Sequence, residues 1–285
     1  MPVNLTVCGQ TDVGLVRQSN EDAFVVADLT GGNLLGGPGL AHFEIGERGV
    51  LLAVSDGMGG HAAGEVASAM VVECLIRAMA TEGTNEPSDA LLGRATELAN
   101  REVWQAAHSP GREGMGATLT ALFVRGTTAY IAEVGDSRAY LLRGGQIAQM
   151  TRDQSYAQLL IDAGGMTAER AQEGGLRNVI LQAMGLRPEV SVALGKLDLR
   201  HLDCLLVCSD GLSNKMTPAE LATILLGSPR LDVGCARLVE VAKKRGGEDN
   251  ITAIVAGVSG DLPPLAPRES IAQTFSVIQE FRPPR

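Results

Sequence analysis

ATLTALFVRGTTAYIAEVGDSRAYLLRGGQ, residues 117–146, is the stretch that settles the fold class. It holds three apolar runs, ATLTALFV (117–124), TAYIAEV (128–134) and RAYLLR (138–143), and each reads as a strand. The links between them are RGT at 125–127 and GDS at 135–137, and RGGQ at 143–146 closes the stretch. Connections this short join antiparallel neighbours, because a parallel return needs a crossover of roughly a dozen residues or more. The stretch is expected to be a meander.

Working outward, VLLAVS (50–55), CLLVCS (204–209) and ITAIVAGV (251–258) are further strands. Helical spacing of apolar residues marks 62–80, 88–107, 217–226 and 231–245. The third of these opens on Thr217-Pro218-Ala219-Glu220, a hydroxyl cap, a proline in the first turn and a glutamate at the third position. Strands come in runs and helices in pairs, so strict β-α-β alternation is excluded and an α+β fold of antiparallel sheets covered by helices is expected. Residues 29–49 are glycine-rich and read as a long loop, and 151–184, with Gly164-Gly165 and Gly174-Gly175, reads as a small flap-like subdomain. Residues 1–258 then form one domain. The segment 259–285 is a tail that begins with DLPPLAPRES and in which IAQTFSVIQEF (271–281) is expected to form a short amphipathic helix docked on the core.

The 285 residues are 45% hydrophobic but only 3% aromatic, so the core is filled by small aliphatic side chains, which suits layered packing. A net charge of -9 argues against nucleic-acid binding, which depends on clustered Lys and Arg. The cysteines Cys8, Cys74, Cys204, Cys208 and Cys235 are odd in number with no C-x-x-C pair, so neither a disulfide framework nor a zinc knuckle is indicated. No run approaches the roughly 18 apolar residues of a membrane span. A monomeric cytoplasmic protein is expected.

The informative pattern lies in the aspartates. Asp56 and Asp210 directly end strands, Asp136 follows one closely, and Asp22 and Asp249 come just before AFVVA and ITAIVAGV. Strand ends converge at one end of packed sheets, and carboxylates gathered there resist ionisation unless cations are present. Oxygen ligands without His or Cys select hard divalent ions. Two of the sites repeat a pattern, VSDGMGG (54–60) and CSDGLSN (208–214), where glycine permits a sharp exit and leaves a carbonyl open as another oxygen ligand.

With GLVRQSNEDAF (14–24), AVSDGMGGHAAGEVAS (53–68), GATLTALFV (116–124), YIAEVGDSRAYLLRGGQI (130–147), RNVILQAMG (177–185), LLVCSDGLSN (205–214) and GGEDNITAIV (246–255), the chain resembles the metal-dependent protein phosphatases of the 2C type, in particular their bacterial branch. The resemblance spans residues 5–258 and implies a four-layer α-β-β-α sandwich with two central antiparallel sheets. It implies that Asp56 bridges two Mn2+ or Mg2+ ions, that Gly57 offers its carbonyl, and that Asp210 and Asp249 complete the coordination. A carboxylate of the first motif, Asp22 in preference to its neighbour Glu21, would reach the second ion directly or through water. Asp136 would bind a third, weaker ion, and Arg17 would hold the phosphate.

The reaction so implied is hydrolysis of phosphoserine and phosphothreonine in proteins, a cognate Ser/Thr kinase among them, by water activated between two ions. Some relatives carry a histidine directly after the Asp-Gly pair where this chain has Met58, so the general acid stays open between His61 and water at the Asp136 ion. A phosphatase fold kept only as a regulatory binding module, or a metal phosphodiesterase, are the alternatives.

Overall fold

In the computed structural model, residues 2–59, 63–81, 86–167, 170, 179–266, 270–271 and 274–283 are described. The first half of the chain supplies β1 (Asn4–Asp12), β2 (Asp22–Asp28), β3 (Leu34–Leu35), β4 (Gly39–Glu44), β5 (Val50–Met58), then the helices α1 (Ala63–Thr81) and α2 (Ser88–Ala106). Next come β6 (Gly116–Ala117), β7 (Leu119–Arg125), β8 (Thr128–Val134), β9 (Arg138–Arg143), β10 (Gln146–Gln149) and α3 (Tyr156–Asp162). The last part holds β11 (Ala193–Asp198), β12 (Cys204–Cys208), α4 (Asp210–Ser213), α5 (Pro218–Leu226), α6 (Leu231–Lys244), β13 (Ile251–Ser259) and β14 (Phe275–Gln279).

These strands form two antiparallel sheets, ordered β10-β9-β12-β13-β1-β4 and β14-β11-β8-β7-β5-β2-β3, with β6 added to β5. The expected meander is present but divided. The β7–β8 and β9–β10 pairs are antiparallel hairpins, yet β8 and β9 lie in different sheets. The link 135–137 therefore carries the chain from one sheet to the other. Gly135 makes this possible with a left-handed φ of 109°, and Ser137 anchors the crossover with its Oγ 2.8 Å from Thr118 Oγ1.

Three apolar layers hold the sandwich. Leu52 and Val54 of β5 meet Leu205, Val207 and Ile254 between the sheets, while Leu51 and Ala53 point the other way against α1 and α2. Leu206, Cys208, Ala253 and Val255 turn outward to meet Leu221 of α5 and Leu238 of α6. The central strands are covered on both faces, which is why they read as continuous apolar runs rather than alternating ones. The expected four-layer α-β-β-α sandwich is the result. Cys8, Cys74, Cys208 and Cys235 are buried, and all five cysteines are free thiols. Among the described residues no helix is long and apolar enough to cross a membrane.

Two expectations are corrected. The glycine-rich stretch 29–49 is not all loop: β4 lies within it and pairs with β1, placing Phe43 opposite Leu5 and in the inter-sheet layer. In the tail, Phe275–Gln279 form a strand, not the helix expected across 271–281. The open edge of β11 supplies a hydrogen-bonding ladder, and the β-branched Val277 and Ile278 favour the extended form. The tail still docks on the core, through Ile271 and Phe275.

Helix α5 begins as its sequence predicts. Thr217 Oγ1 accepts a hydrogen bond from the Glu220 amide, and Glu220 Oε2 accepts one from the Thr217 amide at 2.9 Å, with Pro218 in the first turn. Thr217→Ala is expected to lower stability by about 1 kcal/mol, the usual worth of a hydroxyl cap. Urea unfolding measures this, and an unchanged midpoint would show that the cap contributes nothing.

Candidate metal centre

Each candidate carboxylate is delivered by a different element. Asp22 on β2 and Asp56 on β5 are register partners in one sheet. Asp56 does not end its strand: β5 continues to Met58 because β6 pairs with Gly57 and Met58. Its backbone is clasped by Thr118, whose Oγ1 accepts from the Asp56 amide at 2.9 Å and whose amide donates to the Asp56 carbonyl at 2.8 Å. From the other sheet, Ser209 donates through Oγ to Asp22 Oδ2 at 2.7 Å and accepts from the Thr252 amide at 3.0 Å. Asp210 follows at the start of α4 and accepts from Asn214 Nδ2 at 3.0 Å. Asp136 sits in the crossover between the sheets and is buried.

The motif around Asp249 is fastened by its neighbour. Asn250 donates to the carbonyls of Val13 and Ser19, both at 3.0 Å, and its Oδ1 accepts from the Glu21 amide at 2.7 Å. Glu21 in turn accepts at its carbonyl from the Gly57 amide at 3.0 Å, so the two ends of the site are joined through backbone.

The glycines after Asp56 and Asp210 serve close approach rather than the sharp exit expected. Neither takes a left-handed φ. A Cβ on Gly57 would lie 2.1 Å from the Gly64 carbonyl oxygen, and one on Gly211 would lie 2.0 Å from that of Asn250.

Electrostatics show how closely the carboxylates gather. The Asp56 carboxyl is pushed well above the usual range, first by burial and then by Asp22, Asp210, Asp136 and Asp249. Burial raises Asp22 to about 7, with Asp210 and Asp249 adding repulsion against the lowering hydrogen bonds from Thr252 and Ser209. Asp136 and Asp210 are raised by burial and by neighbouring aspartates. Asp22 Oδ1 is buried with no hydrogen-bond partner.

An orphaned carboxylate oxygen among mutually repelling acids fits a divalent cation, and an all-oxygen donor set fits Mg2+ or Mn2+. Among the described residues no three acidic, His or Cys side chains form a closed cage. Ions that keep much of their water need only one or two carboxylates each, so a cage is not required.

Arg17 stands apart from its expected role. Its Nη2 and Nε each lie 3.0 Å from an Asp249 carboxylate oxygen, so the planar fork expected to hold phosphate here clasps Asp249. His61 lies outside the described residues. Sequence reasoning missed Thr118, Ser209 and Asn250. Their signal was hydroxyls inside otherwise apolar strands and an amide directly beside a candidate ligand.

The raised carboxyls have a measurable consequence. Ordinary carboxylates titrate near 4, so between about pH 4 and 7 the metal-free native state keeps a proton on Asp22 that the unfolded chain has lost. Stability of the metal-free fold therefore falls as pH rises through that window. A bound cation should expel the retained proton. Calorimetric Mn2+ titration near pH 6, in two buffers of different ionisation enthalpy, is expected to give different heats. Equal heats would show that the carboxylates are already ionised.

With this geometry in view, likeness to known proteins is informative. The family profile described as protein phosphatase 2C matches residues 40–231. Serine/threonine protein phosphatase PstP of Mycobacterium tuberculosis is 38% identical over 260 residues, covering 89% of this chain and 45% of that protein. Serine/threonine phosphatase stp of Listeria innocua is 34% identical over 250 residues, covering 86% of this chain and 93% of that protein. The chain thus spans under half the length of the mycobacterial relative and nearly all of the Listeria one. The crystal structure of the PstP catalytic domain in complex with two manganese ions superposes with a TM-score of 0.74 at 34% identity, covering 90% of this chain and all of that one.

Proposed function

The chain belongs to the protein phosphatase 2C family, and on that premise we propose that it hydrolyses phosphoserine and phosphothreonine in proteins with two divalent ions, Mn2+ or Mg2+, at its strand ends. The observation that carries this reading is Asp56, a half-buried carboxyl raised by desolvation and by four other aspartates at once. In the proposed site Asp56, the Gly57 carbonyl, Asp210 and Asp249 would hold the ions, and Asp22 would take the outer position. Its orphaned Oδ1 supports that choice over Glu21.

When bound, such a pair of ions lowers the pKa of water and neutralises phosphoryl oxygens. The chain's own residues do the rest. Thr118 and Asn250 fix the backbone on which Asp56 and Asp249 are carried, and Ser209 orients Asp22. With Asp249 given over to an ion, Arg17 would have its fork free for two phosphate oxygens. The leaving alkoxide needs a proton, for which His61 and water held at Asp136 compete. His61→Gln separates them: retained turnover on phosphothreonine peptide assigns the proton to the water at Asp136.

Mn2+-dependent hydrolysis of p-nitrophenyl phosphate by the purified chain tests the activity, and inactivity with both Mn2+ and Mg2+ would instead support a regulatory binding module. Asp136→Ala is expected to leave the tight Mn2+ sites intact while lowering turnover by roughly 10- to 100-fold, as for other supporting positions around metals. An unchanged rate at saturating Mn2+ would remove Asp136 from the reaction. The proposed natural substrate is a phosphorylated Ser/Thr kinase of the same cell, which phosphoproteomics after gene deletion would reveal.

A further inference from the structure

A cavity of about 470 Å3 opens at one side of the inter-sheet layer, and none of the metal-centre aspartates lines it. Three separate parts of the chain wall it: Glu133 of β8, Leu159 and Leu181 of the 151–184 segment, and Phe275 and Phe281 of the tail. Its volume is that of small-molecule sites, and its lining joins apolar side chains such as Met150, Leu159 and Phe275 to a set of charged ones dominated by acids.

Glu133 is the unusual member. It is only 3% exposed, and strand alternation places it on the same face as Ile131, inside the layer between the sheets. Its Oε2 accepts from the Arg152 amide at 3.0 Å, while its Oε1 is buried without any hydrogen-bond partner. Burial pushes its carboxyl well above the usual range, and Asp153 and Asp136 add to the shift against the lowering hydrogen bond from Arg152. A buried acid with an unused oxygen is costly. The proposed phosphatase reaction gives Glu133 no part, so that reaction does not account for the cost of burying it.

The charges around it define what would satisfy it. Asp153, Asp162 and Glu280 share the cavity lining, against Arg152 as its only basic residue among those described. Arg152 is already engaged by Asp162, and Asp153 is held by Arg138 through Nε at 2.7 Å. Arg138 also eases the Glu133 carboxyl from a distance, but its guanidinium is spent on Asp153, and among the described residues no ion pair is formed with Glu133.

We propose that this cavity is a binding site for a small amphiphilic cation, an amine or guanidinium head on an apolar body, with the head on Glu133 Oε1. The apolar body lies among Met150, Leu159, Leu181 and Phe275. Because the walls come from the core, the 151–184 segment and the tail, an occupant fastens all three together.

The test uses 4-phenylbutylamine and its neutral counterpart 4-phenylbutanol, titrated calorimetrically into the full chain in Mn2+-containing buffer without phosphate substrate. Saturable amine binding is expected, at least tenfold tighter than the alcohol. Glu133→Gln, which keeps an acceptor for the Arg152 amide, should erase that preference. Leu159→Trp, which fills the cavity without touching Glu133, should abolish binding of both. No saturable amine binding, equal affinity for amine and alcohol, or unchanged amine affinity in either variant would overturn the proposal. The readout requires no turnover, so it stands or falls independently of the phosphatase reading.

Discussion

Asp56→Ala is expected to abolish Mn2+-dependent phosphate release, with a loss exceeding the roughly 100- to 1,000-fold that removal of one preorganised stabilising group costs. The reason is position. Asp56 is the carboxylate on which the repulsion of Asp22, Asp210, Asp136 and Asp249 converges, so in the proposed site it is the ligand whose loss should cost most. The same substitution should have the opposite sign on folding. Without metal it removes an acid that the native state holds at a cost among like charges, so the variant's melting temperature in EDTA should equal or exceed the wild type's. Its melting temperature should then respond little to Mn2+. Near-normal turnover would show that the metal centre lies elsewhere.

The largest expected loss of stability lies at the opposite end of β9. Arg143 and Asp203 are almost fully buried, with side chains 2% and 1% exposed. Arg143 Nε and Nη2 reach the two Asp203 oxygens at 2.7 and 2.6 Å, and Nη2 also donates to the Asp198 carbonyl at 2.8 Å. Asp203 Oδ2 accepts from the Arg200 amide at 2.8 Å, closing the turn in which Leu202 holds a left-handed φ of 69°. Asp203→Ala leaves the buried guanidinium without its counter-charge and is expected to cost about 3 to 5 kcal/mol, the typical penalty for breaking a buried pair. Replacing both partners by apolar residues of similar volume should recover much of that loss. Urea unfolding of the single and double variants checks this. A single variant within about 1 kcal/mol of wild type, well below that range, would mean the guanidinium finds water.

How much of this was legible in sequence depended on whether a signal was local. The strands of β5, β12 and β13 were plain because both faces are covered and their residues are uniformly apolar. The capping box at Thr217 was plain because all its groups lie within four residues. The candidate aspartates stood out because they sit beside strand runs. What failed was long-range. The three-residue link at 135–137 looked like a hairpin turn, and only Gly135 hinted that the chain changes sheets there. β4 and β14 exist because β1 and β11 offer open edges, a property of partners distant in sequence. The glycines at 57 and 211 were identified as necessary for the wrong reason, since the oxygens they would strike belong to Gly64 and Asn250. The Arg17–Asp249 pair joins residues 232 positions apart, which no local pattern encodes.

On the proposed reading, the acids gathered at the strand ends act only as holders of divalent ions that drive phosphate hydrolysis. Phosphate release from a phosphothreonine peptide, followed as Mn2+ is titrated into metal-stripped protein, tests it most directly. No release without metal and a saturable rise with Mn2+ is the predicted result; release that persists in excess chelator, or none at any Mn2+ or Mg2+ concentration, would contradict it.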